Sequence, residues 1–308
     1  MKNLFRALFT TLHSLAKKSK LGRGTSVPKE VPRRDISELS VEEFIENYAK
    51  PGLPLILTGI NITEEEPWTL DFFRTRCNVT VKLLMRNPKA ATWGRLQTAG
   101  RLPLATFIDT FTTNASRRKW YLHDWSLPRY CPQAFGPPPY RGFTVPKYFA
   151  GDYFQRAPFE GYQHTWPSLF IGSEETRSSM HIDSGNTNFV LHLLSGRKEW
   201  RFYSRRDLIN LYPSPEGPHF HLDVFRQDLE KFPLSRYAEQ FVGIQEAGEL
   251  IFIPAGNPHG VQNLEPIHGV SMNYVDVSNI ELSILHNILS DEGHKVELYT
   301  DGKSIPHG

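Results

Sequence analysis

The chain has 308 residues, of which 39% are hydrophobic and 22% are charged, and its formal net charge is +2. This length supports a substantial buried core, and the near-neutral charge gives no sign of nucleic acid as an obligatory partner. With 23 prolines and 12% aromatic residues, the composition favours a β-rich fold with many loops over a helical bundle.

The first part of the chain, residues 1–34, is predicted to be a basic N-terminal arm or a targeting segment. Before Glu30 it carries lysines and arginines but no acidic residue, and its leucines and phenylalanines follow helical spacing. A basic amphipathic helix of this kind suits a mitochondrial presequence, a signal for the endoplasmic reticulum, or a helix on a membrane surface. The segment is too short and too polar for a stable membrane span.

The two cysteines, Cys77 and Cys131, form no CxxC pair and no disulfide framework. We therefore expect reduced thiols in an intracellular protein of the cytoplasm or nucleus, with mitochondrial or endoplasmic-reticulum targeting as the alternative. Acceptor sequences for N-glycosylation occur at Asn61, Asn78 and Asn114, but about two would arise by chance, so they are weak evidence for secretion.

The segment 35–125 is predicted to alternate between helices and strands. Ser40 and Glu43 form a capping box ahead of a helix, and the continuous apolar run PLILTG indicates a buried strand. TLDFFRTRC and PLATFIDTF are typical of helices, whereas VTVKLLM and KWYLHDW are typical of strands. A loop rich in proline and glycine follows, with the sequence RYCPQAFGPPPYRGFTVPKYF.

From residue 166 onward the chain is dominated by predicted strands: SLFIG, MHI, NFVLHLL, EWRFY, ELIFIP and GVSMNYVD. After Val277 the pattern becomes helical, with Ser278 and Glu281 as a second capping box and an apolar stripe along one face. The stripe consists of Ile280, Ile284, Leu285, Ile288 and Leu289. We expect this stripe to pack on the chain's own core or to join two copies as a homodimer.

Three residues of the β-rich part are candidate metal ligands. His181 and Asp183 are two positions apart, so on a strand both side chains point to the same face. His259, which follows a strand and a Pro-Ala-Gly turn, is the expected third ligand. Two histidines and one carboxylate form the facial triad of non-haem Fe(II) oxygenases, which leaves coordination positions open for co-substrate and O2.

Lys198 is a candidate for binding the co-substrate. It shares the face of its predicted strand with Trp200 and Phe202, so its amine is expected to point into an apolar interior. A buried ammonium needs an anionic partner, and a dicarboxylate bound at the metal would supply one. The alternative is a lysine at a strand end whose amine reaches back to solvent.

These motifs, HID followed by GRK and later by IPAGNPHGV and SMNYV, resemble a JmjC domain, the jumonji branch of the cupin superfamily. The likeness covers about residues 35–278 and is strongest to jumonji proteins of the phosphatidylserine-receptor type, which are lysyl hydroxylases and arginine demethylases. It implies a mainly β fold with flanking helices, the double-stranded β-helix or jelly roll. It also implies Fe(II), 2-oxoglutarate and O2 as cofactor and co-substrates.

The resemblance assigns roles to individual residues. His181, Asp183 and His259 match the iron ligands and catalytic centre, and Lys198 matches the residue that pairs with the distal carboxylate of 2-oxoglutarate. Five further positions match residues that line the co-substrate pocket: Tyr121, Ser178, Asn188, Ser271 and Asn273.

In this scheme residues 35–277 form one oxygenase domain, and residues 278–308 form a C-terminal helix and tail. The expected function is hydroxylation of a protein side chain, with lysyl hydroxylation favoured. The alternatives are N-methyl demethylation of protein lysine or arginine, hydroxylation of a tRNA base, and a non-catalytic cupin-type scaffold. A protein substrate is therefore the expected partner, with tRNA as the alternative.

Overall fold

The computed structural model describes residues 25–63, 66–90, 92–114, 119–136, 142–156, 165–214 and 220–289. In these residues the architecture is mainly β, as predicted, with short helices around two sheets. No helix within these ranges is long and apolar enough to cross a bilayer. The amphipathic pattern predicted near the N-terminus falls on residues 1–24, outside the described residues.

The strands and helices follow one another in this way. The strands are β1 (Lys29–Glu30), β2 (Arg33–Asp35), β3 (Leu55–Thr58), β4 (Thr80–Arg86), β5 (Leu96–Pro103), β6 (Tyr121–Ser126), β7 (Ser168–Gly172), β8 (Arg177–His181), β9 (Asn188–Ser195), β10 (Lys198–Tyr203), β11 (Gln240–Gln245), β12 (Leu250–Ile253), β13 (His259–Asn263) and β14 (Ile267–Tyr274). The helices are α1 (Val41–Phe44), continued by a π-helical turn (Ile45–Ala49), α2 (Leu70–Arg76), α3 (Leu104–Asn114), α4 (Leu127–Tyr130), α5 (Tyr153–Arg156) and α6 (Ile280–Leu289).

Two sheets face each other across an apolar interior. The smaller sheet has the strand order β1-β11-β10-β13-β8, and the larger has the order β2-β3-β12-β9-β14-β7-β6-β4-β5. One buried cluster joins Phe189 and Leu191 of the larger sheet to Trp200 and Phe202 of the smaller. This is the double-stranded β-helix that the sequence predicts, and its interior is the natural place for a site.

Helices cover the outer face of the larger sheet. Ser40 and Glu43 form the predicted capping box at the start of α1, so the helix begins where the sequence indicates. Phe44, fully buried, then contacts the rings of Phe149 and Phe252 with centroid distances of 5.8 and 4.8 Å. Because this layer buries the outer face, the central strands β9, β12 and β14 of the larger sheet are buried on both sides.

The prediction of two free thiols is wrong, since Cys77 and Cys131 form a disulfide. Each cysteine terminates a short helix, Cys77 after α2 and Cys131 after α4, and both are buried. The two cysteines are 54 residues apart in the sequence, so their pairing could not be predicted from it. Only the packing of the two helix ends brings the sulfur atoms together.

Five strands were not predicted: β1, β2, β5, β11 and β13. β5 reads LQTAGRLP, and its glycine and proline are typical of a loop, but it is an edge strand with mostly exposed residues, where both are tolerated. β11 reads QFVGIQ, in which Gly243 interrupts the apolar pattern. A Cβ on Gly243 would lie 3.0 Å from a methyl group of Val31, so close packing explains this glycine.

The C-terminal helix begins later than predicted. α6 starts at Ile280, and Ser278 donates its hydroxyl to the Asp276 carboxylate instead of capping the helix. Leu285 is exposed, whereas Ser283, on another face, is buried. The side chains of the stripe beyond residue 286 and the tail from 290 to 308 lie outside the described residues.

Candidate active site

The three candidate metal ligands meet at one end of the smaller sheet. His181 ends β8, His259 begins β13, and the two residues pair directly across the ladder. Asp183 follows two residues later, with its carboxylate oxygens 3.9 Å from His181 Nε2 and 4.0 Å from His259 Nε2. One ligand atom from each of the three lies within 4.8 Å of the others, a spacing that can hold one metal ion.

Backbone carbonyls orient both imidazoles. His181 Nδ1 lies 2.7 Å from the carbonyl of Ser179, and His259 Nδ1 lies 3.0 Å from the carbonyl of Asn257. A carbonyl only accepts hydrogen bonds, so each Nδ1 carries the proton and each Nε2 keeps its lone pair. Both lone pairs face the carboxylate of Asp183, which is the orientation that a metal requires of its histidine ligands.

Burial favours the neutral forms of all three side chains. It lowers the pKa of His259 to about 4 and the pKa of His181 well below its ordinary value. It also raises the pKa of Asp183 to about 7, to which the charge of Asp124 contributes. A bound cation would favour the carboxylate again, so the donor set of two neutral imidazoles and one carboxylate fits a divalent metal.

A β-bulge in β8 determines which residues face the interior. His259 pairs with His181, but Val261 pairs with Ser178, so β8 has one residue more than β13 over this stretch. Because of the extra residue, Ser178 and His181 face the same side although they are three apart. The bulge thus places a hydroxyl and a metal ligand in the same interior.

Lys198 is buried in that interior without a carboxylate partner. Its amine donates to the hydroxyl of Tyr121 at 3.3 Å and to Oδ1 of Asn263 at 2.9 Å, and the residue is 0% exposed. Among the described residues, none forms a salt bridge with it. Burial lowers the pKa of this amine to about 7. An anionic ligand would restore the charge and be held by it.

Asn263 belongs to this site but was not predicted. Its amide nitrogen donates to Thr176 Oγ1 at 2.6 Å and to the carbonyl of Ser173 at 3.1 Å, which aims its oxygen at Lys198. Gly172 makes room for it, since a Cβ there would lie 2.5 Å from Asn263 Nδ2. The space that Asn263 needs therefore explains the glycine at the end of the strand SLFIG.

Two predicted pocket serines have hydroxyls without a protein partner. Ser178 and Ser271 are each 1% exposed, and neither Oγ has a hydrogen-bond partner among the described residues. Ser271 lies on β14 and alternates with Val270 and Met272, which pack on the outer, helix-covered face, so Ser271 points inward. Both hydroxyls are available to a polar ligand, as the carboxylates of 2-oxoglutarate require.

Asn273 shares the inward face of β14 with Ser271 and donates to Thr187 Oγ1 at 2.8 Å. The structure therefore places it beside the loop that follows the first two ligands. Its role in lining the co-substrate pocket, which the resemblance implies, stays a prediction.

Asn188 lies elsewhere than predicted. On β9, Phe189 and Leu191 face the interior, so Asn188 points to the opposite side. Its amide donates to Ser278 Oγ at 3.0 Å, and its oxygen accepts from the backbone N–H of Ala255 at 2.9 Å. It ties together chain segments outside the pocket, and we correct its assignment as a co-substrate ligand.

Two residues of β6 also face the site. The strand has a bulge between Leu122 and Trp125, within which Asp124 has a φ of 49°. The ring of His123 packs edge-on against Tyr121 at 5.0 Å, and burial together with the charge of Lys198 lowers its pKa to about 3. Backbone strain of this kind is typical of functional sites.

A double-stranded β-helix with two histidines and one carboxylate defines the cupin class of metal-binding domains. The sequence matches the family described as "Cupin-like domain" over residues 41–278. The chain therefore belongs to the cupin-like domain family.

Similar proteins carry names of oxygenases. The bifunctional arginine demethylase and lysyl-hydroxylase psr-1 of Caenorhabditis elegans is 25% identical over 263 residues, 82% of this chain and 63% of the relative. The 2-oxoglutarate and iron-dependent oxygenase JMJD4 of Gallus gallus is 28% identical over 190 residues, 58% of this chain and 40% of the relative. These matches confirm the resemblance to jumonji proteins of the phosphatidylserine-receptor type.

A shorter match involves an RNA-modifying protein. The tRNA wybutosine-synthesizing protein 5 of Gallus gallus is 40% identical over 80 residues, 26% of this chain and 24% of the relative. The chain spans less than two thirds of the length of the psr-1 and Gallus gallus JMJD4 relatives that it matches.

Proposed function

We propose that the protein is an Fe(II)- and 2-oxoglutarate-dependent oxygenase that hydroxylates a protein side chain, with lysine favoured. The observation that carries the proposal is a metal triad beside a buried lysine that has no acidic partner in the described part of the chain. A cupin that kept its metal for stability alone would gain nothing from a buried ammonium, because unpaired buried charge is unfavourable.

The residues of the candidate site would bind the metal and the co-substrate. His181, Asp183 and His259 would hold Fe(II), and Lys198 with Tyr121 would hold the distal carboxylate of 2-oxoglutarate. When bound, Fe(II) and 2-oxoglutarate would supply the oxidative chemistry that replaces a C–H bond of the substrate by C–OH, with consumption of O2 and 2-oxoglutarate. The protein orients the ligands and excludes water, and Ser178 offers an additional hydroxyl donor.

Turnover of 2-oxoglutarate by the purified chain tests the activity. The protein loaded with Fe(II) should release succinate in the presence of O2, and a chelator should stop the release. Absence of succinate from iron-loaded, folded protein, with or without cell extract as a substrate source, would contradict the proposal.

Asp124 supports a cationic substrate side chain. It lies close enough to Asp183 to contribute to that residue's raised pKa, and burial raises the pKa of its own carboxyl, so a cation beside the two carboxyls would favour their charged forms.

Protein mass spectrometry of cells with and without the protein separates the alternatives. One added oxygen on lysine indicates hydroxylation, loss of a methyl group indicates demethylation, and a change confined to tRNA indicates a base hydroxylase.

Binding of 2-oxoglutarate is expected to take up a proton near pH 8. The pKa of Lys198 in the free protein is lowered to about 7, so at pH 8 the amine is mostly neutral, and a bound carboxylate favours its charged form. Affinity should therefore fall as pH rises above 7. Calorimetry at pH 8 in buffers of different ionisation enthalpy measures the uptake, and an identical heat in all buffers would contradict it.

The paired cysteines support the endoplasmic reticulum over the cytoplasm or nucleus as the location, because disulfides persist in oxidising compartments. Asn61 and Asn78, in two glycosylation sequences, are exposed. Protein isolated from its native cells is expected to resist thiol alkylation until reduced and to lose mass on endoglycosidase treatment. Two freely alkylated thiols in unreduced protein would contradict this location.

A homodimer through α6 is also proposed. Leu285 and Val277 are 53% and 57% exposed at this end of the chain, and a twofold contact would cover them. Light scattering should give a dimeric mass for the wild type and a monomeric mass for Leu285→Glu. A monomeric wild type at micromolar concentration would rule out the dimer.

A further inference from the structure

A basic cavity is lined by residues of both sheets and is adjacent to the Lys198 site, with which it shares Tyr121. We call it the arginine pocket. Its volume is about 420 Å³, within the range of about 300–1,000 Å³ that small-molecule sites occupy. Residues of β4, β5 and β6 of the larger sheet line it, together with residues of β13 and of β8, the edge strand of the smaller sheet. Its lining includes Arg86, Lys119, Tyr121, Thr176, Arg177 and Arg226.

The pocket carries more positive than negative charge. The guanidinium groups of Arg86 and Arg177 share a single oxygen of Asp223, at 3.5 and 3.2 Å, while Arg226 adds a third guanidinium. The remaining cation, Lys119, pairs with Glu175. Burial lowers the pKa of Arg86, and the charge of Arg177 lowers it further, whereas the charge of Asp223 raises it. An anion would complete the charge balance.

Two of the arginines are held in place before any ligand arrives. Arg86 Nε donates to Ser179 Oγ at 3.1 Å, and the guanidinium of Arg177 lies 6.0 Å from the ring centroid of Phe225. Their side chains are only 21% and 15% exposed. Fixed guanidinium groups suit carboxylates, because little side-chain entropy is lost on binding.

The inner wall of the arginine pocket is also the wall of the Lys198 site. Tyr121 lines the pocket, and its hydroxyl accepts from Lys198. Thr176 lines it too and accepts from Asn263, whose oxygen accepts from the same lysine. One layer of side chains therefore separates the arginines from the buried ammonium.

We propose that the arginine pocket is a docking site for dicarboxylates, from which 2-oxoglutarate enters the Lys198 site and to which succinate returns. The inference rests on the proposed function, since it assumes that 2-oxoglutarate binds at Lys198. A cleft lined by one sign of charge concentrates oppositely charged ligands and raises association rates by about 10–1,000-fold, with a strong dependence on salt. The arginines therefore act mainly on the rate of binding, whereas Lys198 acts mainly on the affinity.

Association kinetics test the proposal. Lys198 lies 5.6 Å from the ring of Trp200, so binding of 2-oxoglutarate to the Mn(II)-loaded protein can be followed by tryptophan fluorescence in a stopped-flow instrument. Arg226→Gln and Arg226→Glu change an exposed side chain and spare the fold. Arg206→Gln, an exposed arginine outside the pocket lining, is the matched control.

At low salt the association rate constant is expected to fall about threefold or more in Arg226→Gln and further in Arg226→Glu, with a weaker dependence on ionic strength and unchanged Mn(II) affinity. Arg206→Gln should behave as wild type. Equal rates in all four proteins would overturn the proposal, as would loss of inorganic-phosphate binding in the Arg226 variants with unaltered 2-oxoglutarate kinetics. Failure of the wild type to bind 2-oxoglutarate would instead contradict the proposed function, and this inference with it.

Discussion

Lys198→Met is expected to weaken 2-oxoglutarate binding at least tenfold while making the ligand-free protein more stable. The lost interaction is a charge-assisted hydrogen bond of about 1.5–3 kcal/mol, and about 1.4 kcal/mol corresponds to a factor of ten. Stability rises because the free protein buries this amine with two neutral hydrogen-bond partners and with no anionic partner among the described residues. Its pKa falls from 10.5 to about 7 on folding, so the unfolded chain binds the proton more tightly throughout this interval.

Two opposing contributions determine how Lys198→Met changes the free energy of unfolding. At pH 7.5 the shifted pKa opposes folding by roughly 4 kcal/mol, whereas leaving the buried acceptors of Tyr121 and Asn263 without this donor costs at least about 1 kcal/mol each. A net gain of up to about 2 kcal/mol is therefore expected at pH 7.5, and it should be lost by pH 9.5, where the shifted pKa opposes folding by only roughly 1 kcal/mol. Urea unfolding at pH 7.5 and 9.5 measures it. A variant less stable at both pH values would show that Lys198 is a structural residue.

Asp183→Ala is expected to abolish specific metal binding and, with it, 2-oxoglutarate turnover. Two imidazoles remain, but the ligand that supplies negative charge is lost, so we expect metal affinity to fall by about 100-fold or more. The fold should persist, because the removed carboxyl is buried with a pKa raised to about 7 and contributes little without metal.

Thermal unfolding with and without Mn(II) distinguishes this outcome from misfolding. Metal that binds only the folded state raises the melting temperature of the wild type, and it should not do so for Asp183→Ala. Asp124→Asn is the matched control, since it removes a neighbouring carboxylate that is not among the candidate ligands. Equal metal-induced shifts in the wild type and Asp183→Ala would exclude the triad.

The parts of the site that could be predicted from sequence are local or follow strong patterns. His181 and Asp183 are two apart on one strand, and Lys198 interrupts an apolar face, so each stands out within a few residues. The mainly β fold was predicted on the same basis, from short apolar runs bounded by turns.

The remaining features depend on register and packing between distant segments. In the sequence, Asn263 is one polar residue at the end of a strand. Its role becomes visible only in the structure, where the pairing of β10 with β13 places it opposite Lys198. Asn188 was assigned to the pocket through the resemblance alone, and because β9 is apolar on both sides, alternation gives no signal of the face on which this side chain lies. The disulfide between Cys77 and Cys131 likewise depends on how two helix ends pack.

The bulge in β8 makes the candidate site depend on strand pairing as well as on residue identity. Ser178 and His181 are three apart, so a regular ladder with β13 at this length would turn one of the two side chains out of the interior. Deleting one residue between them would leave a spacing of two, and a regular ladder would then keep both side chains inward. Among homologues, a spacing of three from the serine to the histidine therefore requires the bulge, whereas a spacing of two keeps the site on a regular strand.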